Sequence, residues 1–229
     1  PHEFRTSLSG ILGYSNIISS YARRDTLGTN EINEVCEMAR EINDEGKRLH
    51  RLTENFLLYS QIQAMMASRN DDEFKPTSVL ESPSEIIKDI VVDFSSRSPR
   101  ANDLVTDVDN APIGLAFYHF YKIIYELLDN AIKFSGAGRS VEITARSGAD
   151  TYQICIKDTG YGMSKEQIKN ISAYNQYDRS LHEQQGTGLG LFIAKLLTEL
   201  NGGRFAIESA PNRGTTIILD FPITIGSGQ

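Results

Sequence analysis

No long hydrophobic run is present in this 229-residue chain. Its most apolar stretch, Ile113 to Ile132, is broken by His119, Lys122, Glu126, Asp129 and Asn130. Such a segment cannot lie in hydrocarbon, so no membrane contact by this chain is expected. No signal-peptide pattern opens it. It starts at Pro1 without an initiator Met, as a piece cut from a longer protein does, which leaves room for a sensor or membrane anchor elsewhere. Cysteine is scarce. Cys36 and Cys155 lie far apart with no C-x-x-C spacing, which excludes a disulfide framework and a zinc site and favours a reducing, cytoplasmic compartment. Positive charge is outweighed: Lys+Arg 23 against Asp+Glu 30 gives a net charge of −7. That argues against a nucleic-acid binder, though not against a local anion site made by backbone amides. A wholly disordered chain is excluded as well, because 40% of the residues are hydrophobic, enough for a core.

Proline is missing between Pro1 and Pro76, and residues up to about Ala67 are expected to be helical. Phe4, Leu8, Ile11, Ile18 and Tyr21 or Ala22 form one stripe. Gly28 and Asn30 break the pattern, and Thr29 or Asn30 is the expected cap of the next helix. Val35, Ile42, Leu49 and Phe56 then recur at seven-residue spacing, with Met38, Leu52 and Tyr59 on the neighbouring seam. That repeat describes a helix in a bundle or coiled coil. A hairpin of two such helices cannot bury both faces alone, so a homodimer forming a four-helix bundle is expected; an intramolecular bundle or stalk is the plainer alternative. Ser68 to Pro76 (SRNDDEFKP) is polar and marks a linker. The domains are therefore drawn at 1–67, 68–76 and 77–229.

Beyond the linker, helices are expected over Ser84 to Phe94, Leu115 to Ser135 and Leu189 to Leu200. Strands are expected over Val141 to Ala145, Tyr152 to Lys157, Arg204 to Glu208 and Thr215 to Phe221. Strands and helices do not alternate strictly, so the fold class is α+β, an α/β sandwich after a helical hairpin.

Four constellations could carry chemistry. In YELLDNAIKFS, Glu126, Asp129, Asn130 and Lys133 share one helix face. Taken alone, that face is more simply a solvated one. Its functional alternative is a magnesium–triphosphate site: Mg²⁺ takes one or two protein oxygens and completes its shell with water and phosphate. Asp158-Thr159-Gly160-Tyr161-Gly162 ends an apolar strand. It is either an ordinary turn or a carboxylate that reads an exocyclic amine such as that of adenine, with glycines that let backbone approach a flat ligand. Gly186-Thr187-Gly188-Leu189-Gly190 runs straight into a helix. It could cradle phosphate, although it is neither a Walker A loop nor a Rossmann fingerprint. The polar segment Met163 to Gln185 between them is of a length often used as a lid. Finally, His2-Glu3-Phe4-Arg5-Thr6 offers an imidazole that is a competent nucleophile near neutral pH, with Thr6 one turn away. A lone exposed histidine is usually unremarkable, and His50, His119 and His182 are placed in that class.

In this order the elements resemble a sensor histidine kinase of two-component signalling. HEFRTSL looks like its H box, YELLDNAIKFS its N box, DTGYGM and GTGLGL its two glycine boxes, and Ala173 to Arg179 its F box with tyrosines for phenylalanines. The N and glycine boxes resemble the Bergerat ATP-binding fold; the upstream H box separates the chain from gyrase, mismatch-repair ATPases and heat-shock chaperones. The resemblance implies ATP and Mg²⁺ as ligands, His2 as phosphoacceptor, Glu3 as its base and Thr6 as a phosphatase residue. It implies that Asn130 binds Mg²⁺, that Glu126 orders the metal's water or assists transfer, and that Lys133 contacts phosphate. Asp158 would read adenine, and Gly160 and Gly162 would shape its pocket. Gly186, Thr187, Gly188, Leu189 and Gly190 would form the phosphate loop, with Tyr177 and Arg179 in the lid. The implied partners are a second copy of the chain and a response regulator receiver domain. A phosphatase-biased member or an ATP-binding scaffold remains as the alternative. One departure stands out: Ser7 occupies the place of the family's usual proline, so the first helix is expected to be straighter.

Overall fold

A computed structural model describes residues 2–24, 26–68, 78–97, 100, 103–172 and 189–224. The chain divides into two compact units, a helical hairpin and an α/β domain. Both cysteines are free. Among the described residues no helix is long and apolar enough to cross a membrane.

The hairpin joins α1 (His2–Tyr21) to α2 (Thr29–Ser68). At 1.5 Å per residue α2 spans ~60 Å. Its cap differs from the expected Thr29 or Asn30. Gly28 precedes the helix, and its N–H donates to Glu31 Oε2 at 2.9 Å, so Glu31 supplies the acceptor half of a capping box. The register is antiparallel: Arg24 pairs with Glu31, and the Tyr21 hydroxyl donates to Glu34. Farther along, Gly10 lies against the Glu45 side chain. Besides Gly10, the covered positions of α1 are Phe4, Ser7, Ile11, Tyr14, Ile18 and Tyr21, these six alternating in steps of three and four as a coiled-coil seam does. Leu8, expected in that stripe, is 48% exposed. It sits one residue, about 100° of helix, off the seam, and the smaller Ser7 takes the covered position. α1 runs through Ser7 without a break, as expected where proline is absent. Val35, Ile42 and Leu49 are partly covered, while Phe56 is left 47% exposed.

The α/β domain holds α3 (Pro83–Arg97), β1 (Leu104–Val108), α4 (Phe117–Phe134), β2 (Val141–Ser147), β3 (Thr151–Asp158), α5 (Lys165–Ser172), α6 (Leu189–Leu200), β4 (Arg204–Ser209) and β5 (Thr215–Pro222). The sheet order is β1-β2-β3-β5-β4, with β1 parallel to β2 and the other pairs antiparallel. β1 and α5 were not anticipated. α5 falls inside the segment expected to be wholly lid, and α4 starts at Phe117 and not Leu115. Strict alternation makes one sheet face apolar. Val141, Ile143, Ala145, Tyr152, Ile154, Ile156, Leu219 and Phe221 are all at most 2% exposed. Helices cover that face with Ile87 and Ile90 of α3, Phe120, Ile123, Ile124, Leu127 and Leu128 of α4, and Ile193, Ala194 and Leu197 of α6. Each of the larger aliphatic and phenylalanine side chains among them contributes roughly 1.5–3 kcal/mol on burial. This core presses α4 onto the sheet and so sets which of its residues face outward.

Candidate active site

α4 carries the first constellation. No side chain caps its N-terminus. Its C-terminus is held firmly by a residue that sequence reasoning missed. The Arg100 guanidinium donates to the carbonyl of Ile132, to Ser135 Oγ at 2.9 Å and to the carbonyl of Arg139 at 2.9 Å. A cation is well placed at a helix C-terminus, where carbonyls lack intrahelical partners. Arg100 also pairs with Asp103 at 2.7 Å, and Asp103 accepts the Gly138 N–H at 3.0 Å. That guanidinium holds the Asp103 carboxyl below the usual carboxylate range.

The polar face of α4 is not a simple solvated one. Glu126 is 2% exposed and Lys122 6%, and Lys122 Nζ lies 3.0 Å from Glu126 Oε1. Asp129 and Asn130 are half-buried and Lys133 is exposed, its ammonium 5.1 Å from the centre of the Phe134 ring. Lys122 was overlooked because it reads as one charge among several; its signal was the i,i+4 spacing to Glu126.

The second constellation closes against the end of α4. Asp158, the last residue of β3, is 8% exposed, and its Oδ1 accepts the Gly160 N–H at 2.7 Å. The Thr215 N–H also bonds to it, but burial dominates and pushes its carboxyl above the usual range. Thr215 is paired directly with Asp158 across the β3–β5 ladder, a neighbour that sequence alone could not supply. The turn is stitched on both sides. Tyr161 N–H donates to the Phe134 carbonyl at 3.1 Å, and Gly214 N–H donates to the Gly160 carbonyl at 3.1 Å. Arg139, held at its carbonyl by Arg100, donates from its side chain to the Thr159 carbonyl at 2.7 Å. A Cβ at Gly160 would sit 2.1 Å from the Phe134 carbonyl oxygen, so only glycine allows this approach. Gly162 has φ +63°, the left-handed region, and a Cβ there would meet the Ala210 carbonyl.

Of the third constellation, Leu189 and Gly190 are described and open α6. Gly190 does something the sequence did not suggest: a Cβ there would lie 2.1 Å from Glu126 Oε2. Its bareness makes room for that carboxylate. Tyr177, Arg179, Gly186, Thr187 and Gly188 lie outside the described residues, as does the linker after Ser68. His2 and Glu3 form the first turn of α1, with their side chains outside the described part, and Thr6 is exposed on the same helix.

The sheet, α4 and the Asp158 turn thus bring Glu126, Asn130, Lys133, Asp158 and Gly160 into one domain, downstream of a long helical hairpin. Two family profiles match this division. "His Kinase A (phospho-acceptor) domain" covers residues 1–64, and "Histidine kinase-, DNA gyrase B-, and HSP90-like ATPase" covers residues 118–225. The chain belongs to the sensor histidine kinases. Histidine protein kinase DivJ of Caulobacter vibrioides is 27% identical over 229 residues, which are 98% of this chain and 36% of that protein. The chain therefore spans about a third of the length of that relative. Among solved structures, the histidine kinase AdeS of Acinetobacter baumannii matches with TM-score 0.67 and 17% identity, over 98% of this chain and 99% of that one. Histidine kinase ThkA, crystallised in complex with the response regulator protein TrrA, matches with TM-score 0.60 and 19% identity, over 97% of this chain and 59% of that one. These two likenesses show the fold.

Proposed function

We propose that this chain is the kinase core of a larger signalling protein, transferring the γ-phosphoryl group of ATP to His2 and then to an aspartate of a response regulator receiver domain. The observation that carries the reading is Asp158. A carboxyl group is kept 8% exposed, with burial raising its pKa, in a glycine turn bonded to the end of the helix that bears Asn130 and Lys133. A buried carboxyl acceptor with bare backbone around it suits the amine edge of adenine.

Transfer needs positioning and charge neutralisation more than covalent help. One imidazole nitrogen of His2 forms a bond to the γ-phosphorus as the bond to the β–γ bridging oxygen breaks. ADP leaves with that electron pair, and the imidazole N–H proton passes to Glu3. Lys133 faces phosphate. The donor set fits Mg²⁺ brought by the nucleotide: no group of three His, Cys, Asp or Glu among the described residues could hold an ion alone, whereas Asn130 offers one hard oxygen and phosphate supplies others. Bound there, the metal would neutralise charge on the triphosphate, with Glu126 ordering its water. Gly186, Thr187, Gly188, Leu189 and Gly190 would complete the phosphate loop, with Tyr177 and Arg179 in the lid over it.

The domain boundaries 1–67, 68–76 and 77–229 belong to this proposal, with the linker letting the nucleotide domain reach the histidine. So does a homodimer. Phosphoacceptor domains of this family dimerise, and this hairpin leaves Leu8, Leu12, Ile17, Ile32, Phe56 and Leu57 between 47% and 55% exposed. Thr6, one turn from His2, would serve dephosphorylation of the regulator. The site of action is the cytoplasm, where receiver domains and ATP reside. Incubation with γ-labelled Mg·ATP tests the reading: label should be lost in acid, survive base, and be absent from Asn130→Asp. Base-labile label, or unchanged labelling of that variant, would contradict it.

A further inference from the structure

Lys122 has no part in the chemistry above, yet its placement is unusual. A lysine is rarely buried, and here it is 6% exposed on the same α4 face as Glu126, Asn130 and Lys133. Its ammonium lies 3.0 Å from Glu126 Oε1. The other carboxylate oxygen occupies the space that the bare Gly190 leaves open. Glu126 is therefore held on one side by a charge and confined on the other by the first turn of α6. A buried ion pair of this kind adds little net stability compared with apolar residues of the same size. A methionine and a glutamine would fill the same volume more cheaply, so the pair calls for a reason other than packing.

Electrostatics supplies one. On the proposed function, a triphosphate is bound beside this face. A lone buried carboxylate there would repel it strongly, since the low local dielectric magnifies charge interactions. Paired with Lys122, the carboxylate brings its acceptor oxygens and no net charge. We infer that Lys122 is a positioning and charge-balancing residue of the nucleotide site, fixing Glu126 between α4 and Gly190 and cancelling its charge so that a carboxylate can stand beside the triphosphate. This rests on the nucleotide reading proposed above.

The pattern expected is one of opposite signs. Lys122→Met leaves a carboxylate without its cation, and affinity for Mg·ATP falls by about tenfold, equivalent to ~1.4 kcal/mol. Glu126→Gln leaves a cation without its anion, and Mg·ATP binds more tightly than to the unmutated chain. The double variant restores the charge balance and returns the affinity to within about twofold, while phosphoryl transfer stays low because the acceptor carboxylate is gone. Each shift is larger for Mg·ATP than for Mg·ADP, which carries less charge. Titration calorimetry of the full chain and the three variants with both nucleotides reads all of this, with melting curves to confirm folding. If the unmutated chain binds neither nucleotide, the nucleotide reading itself fails. If it binds and both single variants shift affinity in the same direction, or neither shifts it, the pair is only structural and the inference is overturned. Should Lys122→Met fail to fold, Glu126→Gln decides alone: affinity for Mg·ATP equal to or weaker than that of the unmutated chain overturns the assignment.

Discussion

The two units of this chain solve the problem of burial differently. The α/β domain closes on itself: Phe120, Ile123, Ile124, Leu127 and Leu128 of α4 are fully buried against the sheet. The hairpin does not. Leu12 and Leu57 are each 55% exposed, and the covered seam holds Ser7, whose buried hydroxyl lacks a hydrogen-bond partner among the described residues, and Glu45, one of whose carboxylate oxygens is buried in the same condition. Two layers packed around one core make a self-sufficient fold. A two-helix hairpin with apolar residues on several faces cannot cover them all by itself. On the proposed function, one unit holds the nucleotide and the other is completed by a second copy of the chain.

Breaking the closed domain should have the largest effect. Leu127→Ala, at 0% exposure, is expected to destabilise the α/β domain by about 2–5 kcal/mol through lost contacts and a residual cavity. In denaturant, its transition should move to lower concentration while that of the hairpin stays in place. A shift of both together would mean that the units do not unfold separately. The hairpin should respond next, and in a different way. Its melting temperature should rise with protein concentration, as a self-associating unit requires, and that of the α/β domain should not. Leu49→Asp places an unpaired charge in the seam, at a cost of roughly several kcal/mol if it is fully desolvated. Because Leu49 is only partly covered, the loss should fall below that of Leu127→Ala. Light scattering that finds a monomer for the unmutated chain would remove the basis of this contrast.

A smaller effect separates two carboxylates within the closed domain. Burial raises the folded-state pKa of Asp158. Its contribution is therefore fully present below the unfolded carboxylate value and is lost as pH rises through the folded one. Asp103 has the opposite sign. Arg100 lowers its folded-state pKa, so its contribution is present above the unfolded value and is lost as pH falls through the folded one. Asp158→Asn should raise stability slightly at neutral pH and weaken ATP binding; Asp103→Asn should lower stability at neutral pH. Denaturant titrations across the carboxylate range would check both signs. Asp158→Asn that destabilises at neutral pH would show that its bonds from Gly160 and Thr215 outweigh its burial.

Much of this architecture was legible in the sequence, for reasons that differ by element. α4 shows an apolar face with buried residues at helical spacing, and β2, β3 and β5 alternate cleanly, so periodicity alone placed them. β1 was missed because LVTDV is an edge strand of five residues with only half-buried inward positions. α5 was missed because KEQIKNIS has few apolar residues to set a period. The seam of α1 was drawn through Leu8 because leucine is the more apolar choice; register favoured Ser7. At the candidate site, charged residues on α4 gave no sign of which one was buried. That depends on the approach of α6, and on Gly190 in particular, which packing reveals as a gap for Glu126. The long-range bonds of Arg100 to Ile132, Ser135 and Arg139 were equally out of reach, since no local pattern encodes them.

The division of labour between the units is tested most directly by one paired measurement on His2→Gln: binding of Mg·ATP by calorimetry and labelling with γ-labelled ATP. The account predicts nucleotide affinity equal to that of the unmutated chain, because the proposed nucleotide site does not use His2, with acid-labile label abolished. Label that survives in His2→Gln would contradict it.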